Sequence, residues 1–335
     1  MRKINYDRIY KILIVIPLIL FFLSLVYMVN FYKINKDFFY KDITLKGGTS
    51  ITLYQKIDIN DLSRYLSSNN IKDFNIREIS DLITKEQQAV IIEVSLNPEE
   101  IKPIIEKYIN STLTKENSSI EFTGSSIGAG FYRQALFSIL LALSLMGMVV
   151  FFIFSKGLKI KFFVFILSIL PLFLFFLGIS INNLFFVSIL CLIICLFIYF
   201  KKNVPSFFIV LCVILDIFMT LTLINILGIK ISTAGIVALL MLVGYSVDSD
   251  ILLTTRVLRS QEGNTNEKIY SAFKTGILMT ITTLCAVIIS FFVTKNFSPV
   301  LKQIFTILII GLLFDIMNTW FTNAGLIKLY MERRK

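Results

Sequence analysis

Eight apolar runs, at roughly 10–30, 133–154, 161–179, 184–200, 206–228, 231–253, 276–294 and 303–328, limit what this chain can fold into. Each approaches the about 20 residues that a helix needs to cross the hydrocarbon core of a bilayer. In lipid every backbone N–H and C=O must find a partner within the protein, so such runs become helices. Composition agrees: 56% of the residues are hydrophobic and 16% charged, against about 25% charged in a soluble domain. The chain reads as a polytopic membrane protein. The first run follows MRKINYDR, is longer than the apolar core of a signal peptide and lacks an Ala-x-Ala site. It reads as a retained anchor. The runs at 161–179 and 184–200 are short or interrupted by Pro171 and GISINN, and fit an extra hairpin or a re-entrant loop.

Charge placement orients these spans. The net charge of +11 would suggest nucleic acid in a soluble protein. Residues 31–132, however, are balanced, with 12 Lys/Arg against 14 Asp/Glu, so the basic excess flanks the spans. With the N-terminus in the cytoplasm, inside flanks hold seventeen Lys/Arg, and outside flanks hold four, Arg133, Lys230, Lys295 and Lys302. That is a positive-inside distribution. It predicts a multi-pass cell-membrane protein with both termini cytoplasmic and 31–132 extracytoplasmic. The divisions are a tail and first span over 1–30, an outer domain over 31–132, a bundle over 133–330 with an extra hairpin at 161–200, and a tail over 331–335.

Within the outer domain, 43–54 alternates like a strand, and 58–68 has helical spacing with Asp58 or Asn60 as cap. Strands follow near 73–80 and 88–96. Asn97-Pro98 then opens a second helix, and a last strand lies near 119–124. The order βαββαβ predicts an α+β, ferredoxin-like domain. This fold serves many roles and implies none. Gly47, Gly48 and Thr49 fall inside the first strand, where paired glycines mark a bulge or a close backbone approach. No helix and no GKS/T follow, so they do not form a phosphate loop.

Histidine is absent, which removes His-based triads and His metal sites. Cys191, Cys195, Cys212 and Cys285 lie in apolar runs without metal or disulfide spacing. Neither a metal nor another cofactor is implied, and no covalent chemistry is expected. The chemistry-bearing residues are membrane acids. Asp216 and Asp315 lie near the centres of their runs, and Asn318 follows Asp315 by about one turn. Asp248 and Asp250 are two residues apart, about 200° around a helix, so they cannot share a face. With a span beginning at Ile231 they fall toward its cytoplasmic end, where they could simply solvate it; Gly244 shares a face with Asp248. A carboxylate at a bilayer centre costs roughly 2.5–3.5 kcal/mol on insertion scales. Such acids either glue helices together or carry protons, and no Lys or Arg is at matching depth. Residues 256–275 form a polar connection broken at Gly263-Asn264.

In these pieces the chain resembles the SecF side of the protein-export SecD/SecF family, in its archaeal form. The resemblance rests on GGTS (Gly47 to Ser50), FYRQAL (Phe131 to Leu136), NVPSFFIVLCVILDI (Asn203 to Ile217), GYSVDSDILLTTRV (Gly244 to Val257), AFKTGILMTITT (Ala272 to Thr283) and DIMNTWFTNAGLI (Asp315 to Ile327). It implies a resistance-nodulation-division-type bundle of six core spans, a SecD-like partner subunit, association with the Sec translocon, and assistance to translocating preproteins. Bacterial relatives draw on the proton gradient through membrane acids and an arginine. The chain departs from that pattern in three ways. The hairpin at 161–200 has no place in a six-span plan. Lys46 gives the strand motif as LKGG rather than FTGG. The bacterial GYS-V-N-D-T becomes Asp248-Ser249-Asp250, and the arginine has at best Lys274 as its counterpart. Two other readings compete with an export subunit: a proton-coupled small-molecule transporter of the same superfamily, and a non-energised assembly factor. Against the transporter stands the single outer domain, about 90 residues long.

Overall fold

The computed structural model describes residues 6–71, 73–81, 84–261 and 263–334. The ends of both terminal tails, at 1–5 and 335, lie outside the described residues. The chain opens with α1 (Tyr6–Asn35), a short α2 (Ile43–Lys46) and β1 (Gly48–Leu53). Next come α3 (Ile59–Ser68), β2 (Phe74–Ser80), β3 (Gln87–Val94), α4 (Pro98–Ile109) and β4 (Ser118–Thr123). The bundle continues with α5 (Ser125–Phe154), α6 (Leu158–Phe176), α7 (Ile181–Lys202), α8 (Val204–Ile226) and α9 (Thr233–Arg259). Then follow α10 (Thr265–Thr294) and α11 (Pro299–Met317), which runs through a π-helical turn (Asn318–Asn323) into α12 (Ala324–Arg334). Among the described residues, eight helices are long and apolar enough to cross a membrane, counting α11 to α12 as one. The weak runs near 161–200 are two helices of 19 and 22 residues, α6 and α7, packed on α5 and on each other.

The four strands form one antiparallel sheet in the order β2-β3-β1-β4. Ile51 lies opposite Ile92 on one side and Ile120 on the other. Alternate residues therefore share a face, and Ile51, Leu53, Val90, Ile92 and Val94 form a core with Leu62 and Leu66 of α3 and Ile101 and Ile105 of α4. Asp58 caps α3 by accepting from the Asn60 N–H. Pro98 opens α4, where a missing N–H costs nothing.

The first strand is shorter than its alternation suggested. Asp42 accepts from the Ile43 N–H and caps α2, so 43–46 coil into one helical turn and the strand starts at Gly48. Gly47 and Gly48 consequently lie at the joint between helix and strand, with φ of +90° and +146°. A Cβ on Gly47 would come 2.5 Å from Ser125 Cα, and one on Gly48 2.3 Å from the Val94 carbonyl oxygen. From the other side, a Cβ on Gly128 of α5 would come 2.7 Å from Gly47 N. Three glycines let the domain's first turn lie against the start of α5.

Polar contacts complete this joint. The Asp42 N–H donates to the Ile231 carbonyl at 2.9 Å, and the Ile231 N–H donates to Tyr40 at 2.7 Å. Asn225 Nδ2 of α8 donates to the Phe38 carbonyl at 3.0 Å, and the Ser80 N–H to the Asn296 carbonyl at 2.9 Å. Asp73 accepts from Lys46 and, at 3.2 Å, from Lys230. The Lys46 hydrogen bond leads in holding the Asp73 carboxyl down at about 2. Arg77 meets Glu93 at 3.0 Å and Asp42 at 3.4 Å. Burial, then the Asp42 charge, push Glu93 up to about 7, and Arg77 only partly offsets them.

In the bundle, α8 is buried nearly all round, and α9 packs among α5, α8, α10 and α11. The outer faces of α1, α6, α7 and α10 carry large exposed apolar side chains such as Ile12, Phe22, Phe162, Phe186, Leu278 and Phe292. That is the surface a bilayer covers.

Two predictions follow from the joint. Gly47→Ala or Gly48→Ala should cost about 1–3 kcal/mol from the positive φ alone. The thermal midpoint of either purified variant should fall. Gly130→Ala, where a Cβ meets nothing within 4 Å, should leave it unchanged or raise it. Glu93 binds its proton more tightly when folded, with a value of about 7 against 4.5. Its contribution is complete below 4.5 and lost as pH rises through about 7. Thermal stability should therefore decline over that interval, and Glu93→Gln should flatten the decline; an unchanged slope would refute the assignment.

Candidate functional site

Three carboxyls from three helices meet in the interior of the bundle. Asp216 is fully buried on α8, at the thirteenth of its 23 residues. Asp250 is fully buried on α9, and Asp315 is 1% exposed on α11. The last span runs 35 residues from Pro299 to Arg333, which puts Asp315 close to its middle. Helix α9 continues past its apolar run as far as Arg259, and Ser246 marks its midpoint. Asp250, one turn further, thus lies about 6 Å along the axis from the centre of its helix.

Each acid is held by amides or hydroxyls. Ser246 Oγ donates to Asp216 Oδ2, and Asn318 Nδ2 to Asp216 Oδ1 at 2.6 Å. Thr319 Oγ1 donates to Asp315 Oδ1 at 3.2 Å, and Asn323 Nδ2 to Asp250 Oδ1 at 2.8 Å. Asp216 is thus held from both α9 and the last span, while Asp250 and Asp315 each accept one bond from the last span. Among the described residues no ion pair includes any of the three acids. Lys328, the buried lysine, packs instead over the Tyr10 ring at 4.6 Å. Nor do three His, Cys, Asp or Glu residues gather closely enough to hold a metal ion among the described residues.

Of the residues singled out from sequence, Asp216, Asp250, Asp315 and Asn318 come together. Asp248 does not: it is exposed on the outer face of α9 with Gly244 and Tyr245, as its helical phase relative to Asp250 requires. Gly244 has open space beyond its Cα. Lys274 is exposed on α10 and does not join the buried cluster of acids. Gly47, Gly48 and Thr49 belong to the domain joint; the Thr49 hydroxyl donates to the Leu96 carbonyl at 2.6 Å. Ser246, Thr319 and Asn323 are site residues that sequence reasoning missed. Ser246 was accessible to it, being four residues before Asp250 and so on the same face. Asn323 was not, because the turn that presents it is not α-helical.

Comparison with known proteins gives this arrangement its context. Residues 179–333 match the family described as protein export membrane protein SecD/SecF, C-terminal. The protein-export membrane protein SecF of Methanocaldococcus jannaschii is 33% identical over 329 residues, covering 96% of each chain. SecF of Pyrococcus furiosus is 50% identical over 117 residues, 35% of this chain and 39% of its own. Among solved structures, SecDF of Thermus thermophilus, a translocon-associated membrane protein, superposes with a TM-score of 0.62 at 17% identity. That likeness covers 98% of this chain and 39% of the SecDF chain, and at this identity it speaks for the fold. The match to SecF along nearly the whole of both chains decides the family: this multi-pass membrane protein belongs to the SecF proteins of the protein-export SecD/SecF family.

Proposed function

We propose that the chain is the SecF-like subunit of a protein-export complex that helps preproteins across the membrane by using the proton gradient. The observation that carries the proton step is the layer of Asp216, Asp250 and Asp315, three buried carboxyls that form no ion pair among the described residues. A charge there is costly, and taking up a proton removes it. The hydroxyl of Ser246 on Asp216 and that of Thr319 on Asp315 can each donate and accept a proton. No covalent chemistry is involved; the work is a change in helix packing as the acids load and unload.

The remainder of the reading concerns assembly. The T. thermophilus neighbour is named SecDF, and this chain spans 39% of it. That supports a separate SecD-like subunit beside this one, in contact with the translocon and the emerging polypeptide. An acid facing lipid is costly, so the face of α9 bearing Gly244, Tyr245 and Asp248 is the one the partner covers. Strand order β2-β3-β1-β4 and the order βαββαβ support a ferredoxin-like domain, extracytoplasmic by the charge distribution, with both termini cytoplasmic. The core then has six spans, and α6–α7 is an added hairpin.

Single replacements by Asn test the reading in the assembled complex, with export measured in the presence and absence of a proton gradient. Asp216→Asn, Asp250→Asn and Asp315→Asn should each lose gradient-dependent export by roughly tenfold or more, about 1.4 kcal/mol. Asp248→Asn should respond to the gradient as the parent does. Normal export by all three inner variants would leave the acids as helix packing alone and the chain as an assembly factor.

A further inference from the structure

The last span leaves α-helical winding for one turn, at Asn318–Asn323, where the Ala324 N–H donates to the Thr319 carbonyl five residues back. Such turns have poorer geometry than the α-helix and concentrate at functional sites. This one is buried: Asn318, Thr319, Thr322 and Asn323 are all fully inaccessible. It is also wedged in place. Trp320 stacks edge-on against Phe273 at 5.1 Å, and a Cβ on Gly276 would come 2.5 Å from the Trp320 ring.

The winding decides where two amides point. At about 100° per residue in an α-helix, Asn318 and Asn323 would lie about 140° apart. One of them would then face away from the acids. Winding closed by a bond five residues back brings residues five apart to nearly one face. Both amides then reach carboxyls, Asn318 on Asp216 at 2.6 Å and Asn323 on Asp250 at 2.8 Å. The acids belong to different helices, α8 and α9, so one turn of the last span clasps both.

We propose that Asn323 is a positioning residue for Asp250, and that the π-helical turn is what allows one span to hold the carboxyls of Asp216 and Asp250 together. This rests on the proton-carrying reading of the acid layer. Asn323 neither takes nor gives a proton; its Nδ2–H, on Oδ1, fixes which way the Asp250 carboxyl points.

Asn323→Leu, which removes the donor at similar volume, tests this in the assembled complex in membranes. Two quantities are read: gradient-driven export, and the infrared carboxyl C=O band of Asp250, identified by its loss in Asp250→Asn. The variant should lose export by about tenfold, in the range typical of groups that orient a functional ligand by a hydrogen bond. Its Asp250 band should move as the bond is lost. The exchange Asn323→Asp with Asp250→Asn, which again sets an amide against a carboxyl, should export better than either single change. An unmoved band overturns the assignment whether or not export falls, since a merely structural role leaves it in place. Normal export by Asp250→Asn would sink the proton reading instead, and the band then decides the positioning on its own. If Asn323→Leu does not accumulate, the exchange decides: recovery of protein and export upholds the pairing, and failure of both refutes it.

Discussion

A carboxyl inside an apolar bundle has to be met by the protein's own donors, and this requirement organises the interior of the molecule. Asp216, Asp250 and Asp315, on α8, α9 and the last span, accept from Ser246 of α9 and from Asn318, Thr319 and Asn323 of the last span. Apolar contact between helices in lipid is weakly directional, because lipid tails are as apolar as leucine. Hydrogen bonds to named carboxyl oxygens are directional, and they set the register of these three helices against one another. The surrounding core of Val213, Ile217, Leu239, Leu242, Leu308 and Leu312 fills the space those bonds leave.

Much of this was legible in the sequence, for reasons that can be given residue by residue. Apolar runs of spanning length must be helical in lipid, so the spans could be read directly. The 200° between Asp248 and Asp250 sent one acid inward and the other outward, whichever packed inside. Asn97-Pro98 and Asp58 marked the starts of α4 and α3 because capping is a local property. Non-local facts were out of reach. Alternation over 43–54 read as a single strand, whereas Asp42 caps a helical turn that ends at Gly47. The length of α9 was not legible either: it continues to Arg259, and polar residues at a helix end do not reveal where the helix stops. Asn323 was invisible because the rule that relates spacing to helix face assumes α winding, and that winding fails at this turn.

The same three helices also hold the folded domain. At one end of α8, Asn225 donates to the Phe38 carbonyl, in the segment leading from α1 to the domain. Just before α9, Ile231 exchanges two backbone bonds with Tyr40 and Asp42, and Lys230 meets Asp73. On α11, Gln303 accepts from Ser232 and donates to the Lys230 carbonyl, closing the ring between α9 and α11. Asn296, in the loop before α11, takes the Ser80 N–H at the far edge of the sheet.

Each of these helices thus carries an acid near its middle and a domain contact at one end, and packed helices move as stiff rods. A rotation or slide of α8, α9 or α11 that rearranges the carboxyls must be taken up where those helices meet the domain. The glycine contacts at Gly47, Gly48 and Gly128 leave no slack at the joint with α5. The charged contacts are different in kind. Lys230 and Lys46 on Asp73 are long side chains at the surface and can re-pair over a few ångströms. The domain is therefore packed tightly against α5 by its glycines and held over the acid-bearing helices by longer charged side chains.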